Sequence, residues 1–179
     1  MTRDAEIDGL SGRLRLDQIS RAQFIERCVR LAGHGIECSR SALWIFVDSA
    51  SGRALRCVAM YDRSRDRMVQ VDGHSTDSAG RFYDELSKSG RVVAHDARNH
   101  PATHRFFDDH PRRGGVRSLI AMPLSVNGEL FGAFVCTQVD ECVHWSVQHL
   151  VLLRRISVRA TLTMASMGPR ETTRMTIGW

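Results

Sequence analysis

The sequence predicts an α+β domain, an antiparallel sheet with terminal helices on one face and loops over the other. Three observations carry this. Residues 116–137 read VRSLIAMPLSVNGELFGAFVCT, two apolar runs joined by Asn127-Gly128. Asn-Gly between strand-like runs is a strong hairpin signal, because both residues tolerate the positive φ of a type I′ turn. Both faces of this hairpin are apolar: Ile120, Met122, Leu124 and Val126 line one face of the first strand, and Leu119 and Ala121 the other. In the second strand Leu130, Gly132, Phe134 and Cys136 share one face and Phe131, Ala133 and Val135 the other. Such a hairpin must be covered on both sides and belongs in the interior of a sheet. The other strand-like segments are neighbours in sequence, and the two long helical patterns lie at the ends of the chain, an order that favours an antiparallel sheet with segregated helices.

The elements follow in order. Residues 1–14 are polar and are expected to be a flexible segment outside the domain. Apolar positions at Leu16, Ile19, Phe24, Cys28 and Leu31 predict a helix over 17–32, with a capping box at Ser20 and Gln23 and with Gly33 and Gly35 as stop signals. Residues 41–47 (SALWIFV) and 54–61 (ALRCVAMY) are rich in β-formers and joined by a turn-rich connector. A short helix is predicted over 77–89, with Phe82 and Leu86 one turn apart and Gly90 at its end. A short strand over 91–94 leads to a polar stretch, 95–115, holding one helical turn near 102–108 after Pro101. After the hairpin, Ser146 caps a last helix that Gly168-Pro169 must end. The domain is thus expected over 15–167, with a tail over 168–179.

Composition narrows the function classes. A hydrophobic share of 42% and a charged share of 25% are ordinary for a globular chain. No run of about 18 apolar residues suggests a membrane span. The N-terminus has no apolar signal-peptide core, so a cytoplasmic location is expected. The net charge of +5 comes from arginines scattered among acids, as in Asp62-Arg63-Ser64-Arg65-Asp66-Arg67, with Lys88 the sole lysine. No basic run is interleaved with aromatics, which argues against nucleic acid. Five cysteines without CxxC spacing argue against a disulfide framework and a structural zinc site.

In their order and spacing, several groups of residues together resemble a GAF domain, the small sensory module of bacterial histidine kinases, diguanylate cyclases and cyclic-nucleotide phosphodiesterases. They are Arg40-Ser41-Ala42-Leu43-Trp44, Leu55-Arg56-Cys57, Tyr61-Asp62-Arg63, Arg91-Val92-Val93, Asp96-Ala97 and His100-Pro101-Ala102-Thr103 with Phe106. The strongest block is Gly115-Val116-Arg117-Ser118-Leu119, Pro123, Gly128, Leu130, Gly132 and Trp145-Ser146. The resemblance implies a GAF/PAS-like, profilin-type sheet and a small-molecule pocket between sheet and residues 70–115. It also implies dimerisation through the terminal helices and relay to an effector domain or partner signalling protein. It names no ligand or cofactor.

On that basis the candidate ligand-binding residues are Tyr61, His74, Phe82, Arg91, His95, Asp96, His100, His104, Phe106 and Arg117. His74, His95, His100, His104 and His110 crowd the roof, with Asp96, Asp108 and Asp109 among them. Imidazole and carboxylate together suit a transition metal or haem iron, but the spacings match no metal motif. Neutral imidazoles with Arg91 or Arg117 suit hydrogen bonding to a polar ligand. Some GAF proteins reduce free methionine sulfoxide with cysteines, yet residues 95–115 contain none. A non-enzymatic sensor is therefore the expectation, with a ligand-free dimerisation module as its rival.

Overall fold

The structure, a computed structural model, describes residues 3–50, 52–70, 75–76, 79–104 and 115–166. Its elements are α1 (Arg3–Arg15), α2 (Arg21–Ile36), β1 (Arg40–Ser49), β2 (Gly52–Asp62), β3 (Arg67–Val69), β4 (Ser75–Thr76), α3 (Gly80–Ser89), β5 (Val92–Ala94), β6 (Val116–Val126), β7 (Glu129–Val139) and α4 (Val147–Ala165). All the described strand pairs are antiparallel, in the order β3-β2-β1-β7-β6-β5, with β4 pairing β2 off that path. The β6–β7 hairpin is interior, as its two apolar faces require. Asn127 (φ 52°) and Gly128 (φ 82°) make its turn, both in the positive-φ region that type I′ geometry needs.

Helices α2 and α4 cover one face of the sheet. Phe24, Ile25, Cys28 and Val29 of α2 and Leu153, Ile156 and Ala160 of α4 meet Leu43, Ile120, Met122, Leu124 and Phe134 in the larger core. Capping boxes start both helices: Ser20 with Gln23, and Ser146 with His149. Helix α2 runs through Gly33 and Gly35 to Ile36 and stops at Glu37, which takes the left-handed conformation (φ 59°). Gly33 is therefore a close-packing residue and not a stop signal. A Cβ there would lie 2.8 Å from Tyr61 Cδ1 and 2.9 Å from Ser41 Oγ.

The N-terminal residues, expected to be a flexible segment, instead form α1. Ile7, Leu10 and Leu14, at spacings of three and four, are buried in the same core. Ser11 Oγ lies 3.2 Å from Thr163 Oγ1, and Arg159 pairs with Asp8 at 2.8 Å, tying α1 to α4. Gly9 and Gly12 lower helix propensity and mask this pattern in the sequence.

Two bulges correct the expected facing of side chains. Leu43 pairs Ala59 while Trp44 pairs Cys57, so Val58 is the extra residue of β2. Leu55 faces away from α2 and α4, but beyond Val58 the alternation inverts, and Ala59 and Tyr61 face toward them. In β7, Leu124 pairs Gly132 and Ser125 pairs Leu130, leaving Phe131 as the extra residue. Leu130 and Phe131 accordingly pack on the faces opposite to those that strict alternation assigns.

Candidate functional site

The face of the sheet away from α2 and α4 carries a second, smaller core. Leu55, Leu119, Ala121, Ala133 and Val135 come from the strands, Phe82 and Leu86 from α3, and Ala94, Ala97 and Ala102 from β5 and the turn after it. Among the described residues, six of its thirteen buried members are alanine, against three of twenty-four in the helix-side core. Three of these alanines, Ala94, Ala121 and Ala133, lie on the strands among Leu55, Leu119 and Val135, and the other three, Ala79, Ala97 and Ala102, lie in the segments that pack over them. Trp44, Phe46, Leu130 and Val139 stand half-buried around it. At one border Phe46 meets Tyr83 edge-on at 5.0 Å and Phe82 at 6.5 Å, and the Arg53 guanidinium sits 3.7 Å from the Tyr83 ring centre.

The polar candidates divide between the two sides. Phe82 is buried in the alanine-rich core. His100 opens the turn beyond β5. Its carbonyl accepts the N–H groups of Thr103 and His104, and its Nδ1 accepts that of Ala102 at 3.2 Å. Partial burial holds the His100 pKa below the usual imidazole value, against an upward pull from Glu85 of α3. A neutral, Nε2-protonated imidazole results. His104 Nδ1 lies 3.2 Å from the His100 carbonyl oxygen. Asp96 closes its own turn by accepting from Arg98 N–H at 3.1 Å and Asn99 Nδ2 at 2.7 Å. The Asn99 bond leads the interactions that keep this carboxyl below its usual range, with Arg117 contributing. Arg91 is exposed at the start of β5. Arg117 Nη2 donates to Cys142 Sγ at 3.4 Å, while its Nε is buried without a hydrogen-bond partner among the described residues. His74 and Phe106, like His110 and Asp108-Asp109, lie outside the described residues.

Two candidates belong elsewhere. Tyr61, inverted by the Val58 bulge, is wholly buried on the helix side. Its hydroxyl donates to Asp66 Oδ1 at 2.8 Å and lies 2.8 Å from His34 Nε2, and Arg30 sits 4.7 Å from its ring centre. Tyr61 therefore cannot share a pocket with Phe82. His95 turns toward the start of α4. Its Nδ1 accepts the Trp145 N–H at 3.2 Å, and its ring stacks on His144 at 4.5 Å. The sequence reading missed this histidine group at α4. Its signal was a histidine, His149, three residues after the capping Ser146, where glutamate or glutamine is usual.

The thiols offer little reactivity. Cys28, Cys38, Cys57 and Cys136 are buried, and Cys142 is exposed. Burial pushes the Cys28 thiol up to about 12 and raises that of Cys136 as well. Among the described residues no group of three or more His, Cys, Asp or Glu side chains is placed to hold a metal ion, and no helix is long and apolar enough to cross a membrane.

The sequence matches the GAF domain family over residues 20–164. No curated protein matches it. Among solved structures the fold is similar to the phycocyanobilin-bound GAF domain from a cyanobacterial phytochrome, with TM-score 0.71 and 14% identity over 93% of this chain and 95% of that one. It is similar to the GAF domain of a phosphoenolpyruvate-protein phosphotransferase from Coxiella burnetii, with TM-score 0.65 and 14% identity over 97% and 99%. It is also similar to free methionine-R-sulfoxide reductase from Neisseria meningitidis in complex with its substrate, with TM-score 0.64 and 13% identity over 96% and 89%. At these identities the likeness is one of fold.

Proposed function

Since the chain belongs to the GAF domain family, we propose that it is a non-catalytic sensory domain that takes a small molecule against the alanine-rich face of its sheet. Occupancy passes through α1 and α4 to an effector domain or partner signalling protein, in the cytoplasm. The carrying observation is the asymmetry of the two cores. Large side chains fill the helix side, whereas the other core is richer in alanine, with Phe82 buried in it and Trp44 and Phe46 half-buried beside it. Apolar surface bordered by a few polar groups is what a small-molecule site needs. Thiol chemistry of the sulfoxide-reductase kind needs an accessible thiolate with a resolving partner, and four of the five thiols are buried.

Native mass spectrometry with an absorbance spectrum tests this on protein purified gently. A co-purifying small molecule supports it. For apo protein, a metabolite library is screened by thermal shift, where a ligand at a hundredfold excess over its Kd raises Tm by about 5 to 10 °C. No bound mass and no shift across the library would leave the sensory reading without support.

One observation favours a second function, dimerisation alone. Val147, Val151, Val158 and Leu162 form an exposed row along α4, separate from the Leu153, Ile156 and Ala160 face that meets the sheet. A second copy would cover this row in an isologous pair. Light scattering that reports a monomer at tens of micromolar would remove dimerisation from both functions.

A further inference from the structure

Two consecutive backbone N–H groups lead into α4, and each is accepted by an imidazole. Trp145 N–H donates to His95 Nδ1 at 3.2 Å, and Ser146 N–H donates to His149 Nδ1 at 3.3 Å. An imidazole nitrogen accepts only while it carries no proton, so both rings are held as Nε2–H tautomers. His149 also anchors the reciprocal half of its cap, its own N–H donating to Ser146 Oγ at 3.3 Å. The same junction is fastened by the Trp145 indole N–H on the Ala94 carbonyl at 3.3 Å and by Val143 N–H on Ser118 Oγ at 2.8 Å.

We propose that this junction is a proton-operated latch: protonating His95 and His149 turns two acceptors into donors, releases the Trp145 and Ser146 amides, and loosens the first turn of α4. Electrostatics act in the same direction. A helix N-terminus disfavours cations, α4 has no acidic residue in its first turn, and the ring stacked on His95 is another imidazole, His144. Among the described residues, the charged groups on the segments that meet the junction are Arg117 of β6, Asp96 next to His95, and Glu141 in the loop before α4. Asp96 is engaged by Arg98 and Asn99, and Glu141 accepts from Gln138 Nε2 at 3.1 Å. The Trp145 and Ser146 amides have no such acceptor once the rings are charged, whereas the Ser118, Ala94 and Ser146 Oγ bonds persist. Release is therefore confined to the entry of the helix and leaves the core intact.

The latch sits on the helix side, away from the alanine-rich face, and does not depend on a ligand there. Its use in signalling rests on the sensory reading, but the following experiment reads the latch alone. Amide protection at Trp145 and Ser146, corrected for intrinsic exchange, is followed by NMR on the full chain from about pH 8 to about pH 5, across the imidazole range, with ring ¹⁵N shifts reporting tautomer and charge. Protection at both amides should fall about fivefold, the equivalent of one net hydrogen bond each. His149→Gln restores the usual capping partner without a titrating group and should keep Ser146 protected at low pH; His95→Asn should do the same for Trp145. Nδ1-protonated rings at pH 8, unchanged protection in the wild type, or an equal fall in the double variant, verified as folded at pH 8, would each overturn the latch.

Discussion

Leu119 and Leu124 lie five residues apart on β6 and face opposite ways. Leu124 is fully buried beneath α2 and α4 among Leu153, Ile156 and Phe134, while Leu119 packs against Ala121, Ala133 and α3. One side of the sheet is filled with large, interlocking side chains. The other mixes alanines with Leu55, Leu119 and Val135 on its strands and takes its largest group, Phe82, from α3. The difference teaches that this fold concentrates packing stability on the helix side and leaves the opposite side freer to be shaped by what lies over it.

The sharpest way to break this comparison is to make the same substitution on both sides. Leu124→Ala should lower unfolding free energy by about 4 kcal/mol and Leu119→Ala by about 2 kcal/mol, because only the first leaves a cavity that cannot collapse. Urea denaturation of both variants checks it, and equal losses would mean the two faces are packed alike. Gly33→Ala should come next. Helix propensity gains about 1 kcal/mol, but the added methyl meets the Tyr61 ring and Ser41 hydroxyl, so a net loss of about 1 to 2 kcal/mol is expected in the same assay.

Acid should act through the helix-side edge of β2. Burial raises the Asp62 pKa, but bonds from the Ser64 hydroxyl and Arg65 N–H, with the charges of Arg40 and Arg65, outweigh it and leave the carboxyl below its ordinary value. A carboxyl lowered by folding stabilises the protein above its unfolded value, near pH 4, and that contribution disappears as pH falls through the folded value. Asp62→Asn should therefore be less stable than wild type at pH 7, with the gap in urea midpoints narrowing as pH falls below the ordinary carboxylate range. The smallest effect concerns the thiols. In native protein a maleimide should add once, at Cys142, with the other four reacting only after denaturation. Intact mass before and after guanidinium reads this directly, and rapid native modification of Cys28 would show that the helix-side core opens more easily than its packing implies.

What was legible in the sequence was local. The Asn127-Gly128 turn and the caps at Ser20 and Ser146 each depend on residues within one turn of chain, and each is present. The two-sided hairpin was legible as well, because its apolar runs leave no solvent face. What was hidden depended on partners far away in sequence. Gly33 reads as a helix stop until Tyr61 is placed against it. Helix α1 reads as a polar segment until α4 supplies Thr163 and Arg159 as neighbours. Tyr61, as an aromatic, and His95, as a histidine of the roof stretch, were expected at the pocket, and the structure turns both toward the helix side. Phe82 keeps to the other side, where the share of alanine was not anticipated, since alanines give no signal until the fold brings them together.

The extra residue at Val58 also bears on how this chain should be compared with its relatives. Upstream of it, odd-numbered positions of β2 face the alanine-rich side; downstream, they face the helices. A GAF domain without that residue aligns correctly with both halves of β2 only if a one-residue gap is opened at Val58. An ungapped match would set Tyr61 against a residue that faces the alanine-rich side, and would give that residue's role to a side chain that packs against α2.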